Sequence, residues 1–403
     1  MTDVLVVDDS QFIRTVVGNA LADAGYTVET AASGEEAVEH VRRDDPDVVT
    51  MDVEMPGMGG IEAVERIMAT DPTPILMLSA YTNRGTEATL DALERGALDI
   101  LQKPDGTDGR NVGHLTADVV ERVDELSAAT VSTLALARAT AAVNATERQR
   151  VAAGTASEDA IGVNGGTTAD TPKPRTGTHT STPSTSTPGG PADRSEIAVE
   201  RPVAGVPTVI IGASTGGPKI IERIASTLPL ELGARIIIVQ HMPADFTARL
   251  AARLDTVSEY AVSEASDGDL LEAGEIVVAK GGHHLRVTGV EDDALVVSLD
   301  DGPRVHGVRP AIDVTMETAA EVVTGLGTLC GVALTGMGRD GAAGIEAIAE
   351  VGGHTIAQDE ATSPVFGIPQ QAIATGRIDE TVPAPALPER IVTACYEEGE
   401  HDD

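Results

Sequence analysis

The chain has 403 residues, enough for about two domains, and its 41% hydrophobic content includes only 2% aromatics and no Trp. Its cores are therefore expected to be built from Val, Ile, Leu and Ala. Asp and Glu number 64 against 28 Lys and Arg, a net charge of −36, which excludes nucleic acid as a partner because no basic patch exists to meet phosphates.

Only four lysines occur, Lys103, Lys173, Lys219 and Lys280. Acid excess with so few lysines fits a halophilic protein kept soluble in a very salty cytoplasm, where screening removes most of the self-repulsion. Cys330 and Cys395 are too few for a disulfide framework. The opening "MTDVLVVDDS" has no basic stretch leading into an extended apolar one, and no run approaches membrane-spanning length. A cytoplasmic location without direct membrane insertion is expected.

Along residues 2 to 126, short apolar runs ("DVLVV", "YTVET", "DVVTMD", "PILMLSA", "ALDILQKP") alternate with helical patterns such as "RTVVGNALADAG" and "GIEAVERIMA". This alternation predicts a five-stranded parallel sheet with helices on both faces. Asp8 and Asp9 end the first strand, Asp52 the third, Ser79 the fourth and Lys103 the fifth. In such a sheet the carboxyl ends of the strands share one edge, where ligands bind. Three carboxylates there make a hard-oxygen site suited to Mg²⁺. Asp52 is then a candidate nucleophile that forms an aspartyl-phosphate, with Ser79 hydrogen-bonding the phosphoryl group and Lys103 neutralising it. The competing reading, that "DDS" caps a helix and Asp52 sits in a turn, covers each residue singly but not the set.

On "VLVVDDS", "DVVTMDVEMPGMGGIE", "LMLSA" and "LQKP", residues 1 to about 125 resemble a response-regulator receiver domain. The resemblance implies that Asp52 accepts phosphate from a histidine kinase, with Mg²⁺ held by Asp8, Asp9 and Asp52. Family members often carry an aromatic switch residue three positions before the lysine; here that position is Ile100.

From Ser127 the pattern changes. "SAATVSTLALARATAAVNATERQR" reads as a solvated helix, and residues 171 to 194 are too rich in Thr, Ser, Pro and Gly to pack, so 127–204 is expected to be a linker. Alternation resumes with "TVIIGA", "ARIIIVQH", "EIVVAK", "LGTLCGVALTG" and "GHTIAQ". "HHLRVTGVEDDALVVSLDDG" predicts a β-hairpin around an acidic turn, and "AIDVTMETAAEVV" and "AAGIEAIAEV" predict helices. The expected architecture is two doubly wound, mostly parallel α/β domains, at 1–126 and 205–395. The second is Rossmann-like with a hairpin, and 396–403 is an acidic tail.

"VIIGASTGGPK" (209–219) either cradles a phosphate or exposes a nucleophile. A Walker loop needs Gly-Lys then Ser/Thr, and a dinucleotide fingerprint needs Gly-x-Gly; both fail here. Gly212 to Gly216 satisfies G-x-S-x-G at a strand-to-helix turn, which exposes the Ser214 hydroxyl before a helix N-terminus. Ser214 needs a base, and His241 ends another strand; the base needs an orienting acid, and Asp340 lies beyond a third. Ser214 and Asp340 as helix caps and His241 as a turn residue are the plain alternatives, and they explain the three only one at a time. Thr215 and Met337 flank these residues in the vicinity of the oxyanion. His283 and His284 lack spaced partners for a metal and are expected to be structural or rim residues.

"IGASTGGP", "VQHMP" and "LTGMGRDGA", in this order behind a receiver domain, resemble the chemotaxis protein-glutamate methylesterase family, CheB. The resemblance implies hydrolysis of glutamate methyl esters on methyl-accepting chemoreceptors, with methanol released, and glutamine deamidation in some members. It implies Ser214 as nucleophile, His241 as base, Asp340 as its orienter, no cofactor for the ester step, and a chemotaxis histidine kinase as phosphodonor. A bulky receptor substrate implies an open active-site edge, which a docked receiver would cover until Asp52 is phosphorylated. Two other classes compete. A phosphorylation-switched binding module would not need all three triad residues, and a transcription factor would show a basic recognition helix after the linker.

Overall fold

The computed structural model describes residues 2–79, 91–93, 95–103, 109–127, 197 and 205–396. The helix expected after Ser127, the Thr- and Pro-rich stretch and most of the acidic tail lie outside the described residues. The described residues form two α/β domains. In the first, β1 (Asp3–Val7), β2 (Thr27–Ala31), β3 (Val48–Asp52), β4 (Ile75–Ser79) and β5 (Asp99–Gln102) make one sheet of order β2-β1-β3-β4-β5. Every neighbouring pair is parallel.

The helices described beside this sheet are α1 (Gln11–Asp23), α2 (Gly34–Asp44), α3 (Gly60–Thr70) and α4 (Gly109–Leu126). The central strands β3 and β4 are buried throughout, whereas β2 at the edge exposes Thr27, Glu29 and Thr30. A continuous apolar run marks a strand covered on both faces, and a mixed run marks an edge. Ser10 and Ser33 cap α1 and α2 by accepting the Ile13 and Glu36 N–H groups. The "DDS" run therefore caps a helix and carries carboxylates as well. The strand order reverses between β1 and β3, which opens a crevice at their carboxyl ends.

The second domain has a seven-stranded sheet of order β15-β14-β13-β6-β7-β10-β8 and a three-stranded sheet of order β11-β12-β9. In chain order the strands are β6 (Thr208–Ala213), β7 (Arg235–Gln240), β8 (Ala261–Glu264), β9 (Leu270–Leu271), β10 (Glu275–Val278), β11 (His284–Glu291), β12 (Ala294–Asp300), β13 (Leu329–Ala333), β14 (His354–Gln358) and β15 (Glu380–Val382). The seven-stranded sheet is parallel throughout. Its central strands β13, β6 and β7 are buried at every residue. The expected hairpin is β11–β12, turned by Asp292 and Asp293 at φ 47° and 67°, the paired left-handed conformation that suits tight hairpins.

The edge strands β8 and β15 escape a sequence reading because they are short and half-exposed. The helices are α5 (Gly217–Thr227), α6 (Phe246–Val257), α7 (Ile312–Val323), α8 (Ala342–Glu350), α9 (Gly367–Ala374) and α10 (Leu387–Ala394). One apolar cluster runs from the N-terminal core through Leu98 and Ile100 to Met242 and Phe246 of the second domain.

Candidate active site

The first sheet delivers its charged residues to one edge. Asp8 follows β1, Asp52 ends β3, Ser79 ends β4 and Lys103 follows β5. Asp8, Asp52 and Ser79 are buried, and Asp9 is exposed. Lys103 Nζ lies 2.6 Å from Asp8 Oδ2 and 2.8 Å from Asp52 Oδ1. The backbone binds the same edge together, since Lys103 N–H donates to the Ser79 carbonyl at 2.7 Å. Burial pushes the Asp52 carboxyl up to about 6, although the Lys103 charge and hydrogen bond pull the other way.

Asp8, Asp9 and Asp52 each offer a carboxylate oxygen within 4.8 Å of the others. Three acids share one lysine, so the donor set is all oxygen and under-neutralised. These residues fit a small hard cation such as Mg²⁺.

The second sheet brings Ser214, His241 and Asp340 to one place. Ser214 follows β6 and His241 follows β7, adjacent strands in which Ala213 pairs with Gln240. His241 N–H donates to the Ala213 carbonyl at 2.9 Å, and Ser214 N–H to the Thr335 carbonyl at 2.9 Å, just past β13. Asp340 Oδ2 lies 2.7 Å from His241 Nε2. Asp340 and His241 are thus in direct contact, and His241 Nδ1 is the ring nitrogen that this contact does not use.

No hydrogen bond joins Ser214 Oγ to His241 among the described residues. The pair is held through the backbone instead. The buried Gln240 amide donates to the Ser214 carbonyl at 2.8 Å and the His241 carbonyl at 3.3 Å. Gly336, at φ 154°, has to be glycine, because a Cβ there would lie 2.6 Å from Ser214 Cβ.

Asp340 does cap a helix, though not the one that comes after it. Its Oδ2 accepts Ile312 N–H at 2.7 Å and its Oδ1 accepts Asp313 N–H at 3.0 Å, both at the start of α7. Burial works to raise the Asp340 carboxyl, but the His241 hydrogen bond and charge and these backbone N–H groups hold it below the usual carboxylate value. Ser214 caps nothing: α5 starts at the left-handed Gly216. His284 is a structural histidine, its Nε2 donating to the Pro303 carbonyl and its Nδ1 accepting Ala311 N–H. His283 is a rim residue beside Asp301, at 2.6 Å.

The first domain covers this site. Thr215 Oγ1 donates to Asp99 Oδ2 at 2.8 Å and accepts from Arg122 Nη1 at 2.9 Å, and Arg122 itself lies 3.0 Å from Asp99. The same Arg122 nitrogen approaches Met337 Sδ at 3.6 Å. Gly216 N–H, in the turn after Ser214, donates to the Leu98 carbonyl at 3.1 Å. Ile100, at the position of the missing aromatic switch, lines a narrow cleft shared with Pro218, His241 and Phe246. Sequence reading missed Asp99, Arg122 and Gln240. Gln240 sits beside His241 in "VQHMP", but Asp99 and Arg122 carry no local signal because their partners are more than 90 residues away.

A CheB methylesterase family model matches residues 209–391, and a response regulator receiver domain model matches residues 4–109. A protein-glutamate methylesterase/protein-glutamine glutaminase of Halobacterium salinarum is 44% identical over 392 residues, which cover 97% of this chain and 98% of that one. Its counterpart in Pyrococcus horikoshii is 40% identical over 393 residues, covering 97% and 93%. The crystal structure of the Thermotoga maritima CheB methylesterase catalytic domain, at 40% identity and TM-score 0.45, covers 47% of this chain and 99% of that chain. With both domain families matched in order and relatives aligned over nearly their whole length, the chain belongs to the CheB methylesterase family of hydrolases and carries an N-terminal response regulator receiver domain.

Proposed function

We propose that this protein hydrolyses glutamate methyl esters on cytoplasmic regions of chemoreceptors through Ser214, His241 and Asp340, and that phosphorylation of Asp52 uncovers the site. The observation that carries the reading is the 2.7 Å contact of His241 with the buried Asp340 beside the end of the Ser214 strand. His241 Nδ1 takes the Ser214 proton while Oγ attacks the ester carbonyl, and Asp340 stabilises the imidazolium through Nε2. Thr215 N–H at the start of α5 is a donor for the oxyanion, joined by Gly216 N–H once opening of the cover withdraws the Leu98 carbonyl that it meets at 3.1 Å. Losing one such donor costs about 3 kcal/mol of transition-state stabilisation. The carbonyl carbon–methoxyl bond then breaks, His241 returns the proton to the leaving oxygen as methanol, and water attacks the acyl-serine to release glutamate. A glutamine amide fits the same sequence with ammonia as the leaving group, which is the deamidation that the names of the relatives describe.

Asp52 accepts a phosphoryl group from a chemotaxis histidine kinase: its carboxylate oxygen attacks phosphorus as the nitrogen–phosphorus bond of phosphohistidine breaks. Asp8, Asp9 and Asp52 would hold Mg²⁺, which supplies charge neutralisation for the phosphoryl oxygens. Lys103 then pairs with the new dianion, and Ser79 hydrogen-bonds it. Lys103 directly follows β5, and the other end of that strand carries Asp99 and Leu98, which contact Thr215 and Gly216. Drawing Lys103 toward a phosphoryl group shifts β5 and weakens the cover over Ser214, so the equilibrium moves toward an open site. No helix among the described residues is long and apolar enough to cross a membrane.

The test is methanol release from methylated receptor membranes in high salt, with and without a phosphodonor. Release that needs Ser214 and rises with phosphodonor supports both parts. Release indifferent to phosphodonor keeps the esterase and sinks the gating. A Ser214→Ala protein that matches wild type would overturn the triad.

A further inference from the structure

We propose that Asp313, with His306 behind it, is a positioning residue for the esterase reaction, an inference that rests on the Ser214–His241–Asp340 reading. Asp340 sits in a loop with little stiffness of its own: Gly336, Gly338 and Gly341 all have positive φ, at 154°, 73° and 98°. Something outside the loop has to fix the carboxylate against His241.

The fixing is reciprocal. Asp340 accepts Ile312 N–H and Asp313 N–H at the start of α7. In return, Asp313 Oδ1 accepts Gly341 N–H and Gly344 N–H, both at 2.8 Å, at the start of α8. Each acid caps the helix that the other belongs to or leads into, so neither loop nor helix can shift without breaking bonds to both.

The second oxygen of Asp313 is also engaged. Asp313 is 3% exposed, and its Oδ2 lies 2.8 Å from His306 Nε2. Arg339 Nε donates to His306 Nδ1 at 3.2 Å. That donor requires Nδ1 to accept, which puts the His306 proton on Nε2, directed at Asp313. His306 holds a left-handed conformation, φ 52°, which a non-glycine residue adopts at a cost. The relay from Arg339 through His306 and Asp313 therefore closes back on the residue beside Arg339, namely Asp340.

His306, Asp313 and Asp340 also resemble a metal-ligand triple, their ligand atoms lying within 4.8 Å. The hydrogen bonds argue otherwise. Both carboxylates direct their lone pairs at backbone N–H groups of two helix N-termini, whose partial positive charge repels a cation. The same positive ends make two neighbouring buried acids tolerable. A second carboxylate behind Asp340 adds negative potential on the far side of His241. Among the described residues, the charged groups near Asp313 besides Asp340 and Arg339 are His306, Glu317 on its own helix, and Arg286 beside Glu317; His284 Nδ1 accepts from Ala311 N–H just before α7.

The experiment compares wild type with Asp313→Asn and His306→Ala in the full-length protein, given phosphodonor and high salt, by methanol release from methylated receptor membranes across pH. Asn keeps an oxygen for Gly341 and Gly344 but removes the charge and misdirects a donor at His306. Asp313→Asn is expected to lower kcat roughly tenfold or more while KM stays within about twofold. His306→Ala, at an exposed residue, is expected to lower kcat roughly threefold. A folded Asp313→Asn protein with unchanged kcat overturns the proposal, leaving a helix cap that affects melting alone. Should Asp313→Asn not fold, an unchanged kcat in His306→Ala overturns it instead. Ser214→Ala is the control: activity retained there defeats the triad reading itself, whatever Asp313 does.

Discussion

The receiver domain and the esterase domain both place chemistry past the carboxyl ends of parallel strands, yet they settle the electrostatics in opposite ways. In the receiver the strand ends hold Asp8, Asp9, Asp52 and Lys103, and one buried carboxyl is pushed up to about 6. In the esterase domain the one buried acid facing the base is held below its usual value, because two helix-start N–H groups and His241 all point at it. A cluster short of positive charge suits the proposed uptake of a cation and a phosphoryl group. A carboxylate already satisfied by fixed dipoles is poised to stay as it is through a catalytic cycle. The difference separates a charge-deficient edge from a preorganised one, and the Asp99–Thr215–Arg122 contact joins the two domains.

Three measurements test that contrast. The largest effect is expected from Asp340→Asn, which keeps the shape but presents an N–H to His241 and α7. A fall in kcat of roughly 10³- to 10⁴-fold with little change in KM is expected from receptor-methanol assays. A loss below tenfold would mean that Asp340 does not orient the base.

A smaller effect on rate belongs to the contact between domains. Arg122→Ala removes a charged donor from Thr215 and a partner from Asp99, and it is expected to raise unphosphorylated methanol release roughly three- to tenfold, since such a bond is worth about 1 kcal/mol. The phosphorylated rate should move much less. Equal rises with and without phosphodonor would place Arg122 in the catalytic step rather than in the cover.

The third effect is on stability rather than on rate. An acid whose folded value is raised favours the protonated state, so its contribution is most favourable below the unfolded value of 3.8 and is lost as pH rises through about 6. Without divalent cations, Asp52→Asn is therefore expected to stabilise the receiver transition at pH 7.5 by about 2 kcal/mol, and by almost nothing near pH 4. Calorimetry in high salt reads this directly. Added Mg²⁺ should stabilise wild type more than the variant, and the reverse order would remove Asp52 from the cation site.

Much of the architecture was legible in the residues alone. Runs such as "RIIIVQ" and "TVIIGA" announce strands covered on both faces because burial leaves no room for alternation, and they are buried at every position. The acids and the lysine stand out for a related reason: a charged residue directly after an apolar strand has to lie at a sheet edge. The same logic located Ser214 and His241. The edge strands β8 and β15 were not legible, since four or fewer half-exposed residues carry too little pattern.

The two parallel-sheet domains, the acidic edge of the receiver sheet and the three candidate triad residues could all be read from the order of residues, because each depends on hydrophobic period and on the residue placed just after a strand. Three other features came from the folded arrangement: which ring nitrogen of His241 meets Asp340, the capping of α7 rather than α8 by Asp340, and the reach of Arg122 to Thr215 across 93 positions. Those outcomes depend on distances between segments far apart in the chain. No local propensity encodes them, and packing alone brings the partners within hydrogen-bonding reach.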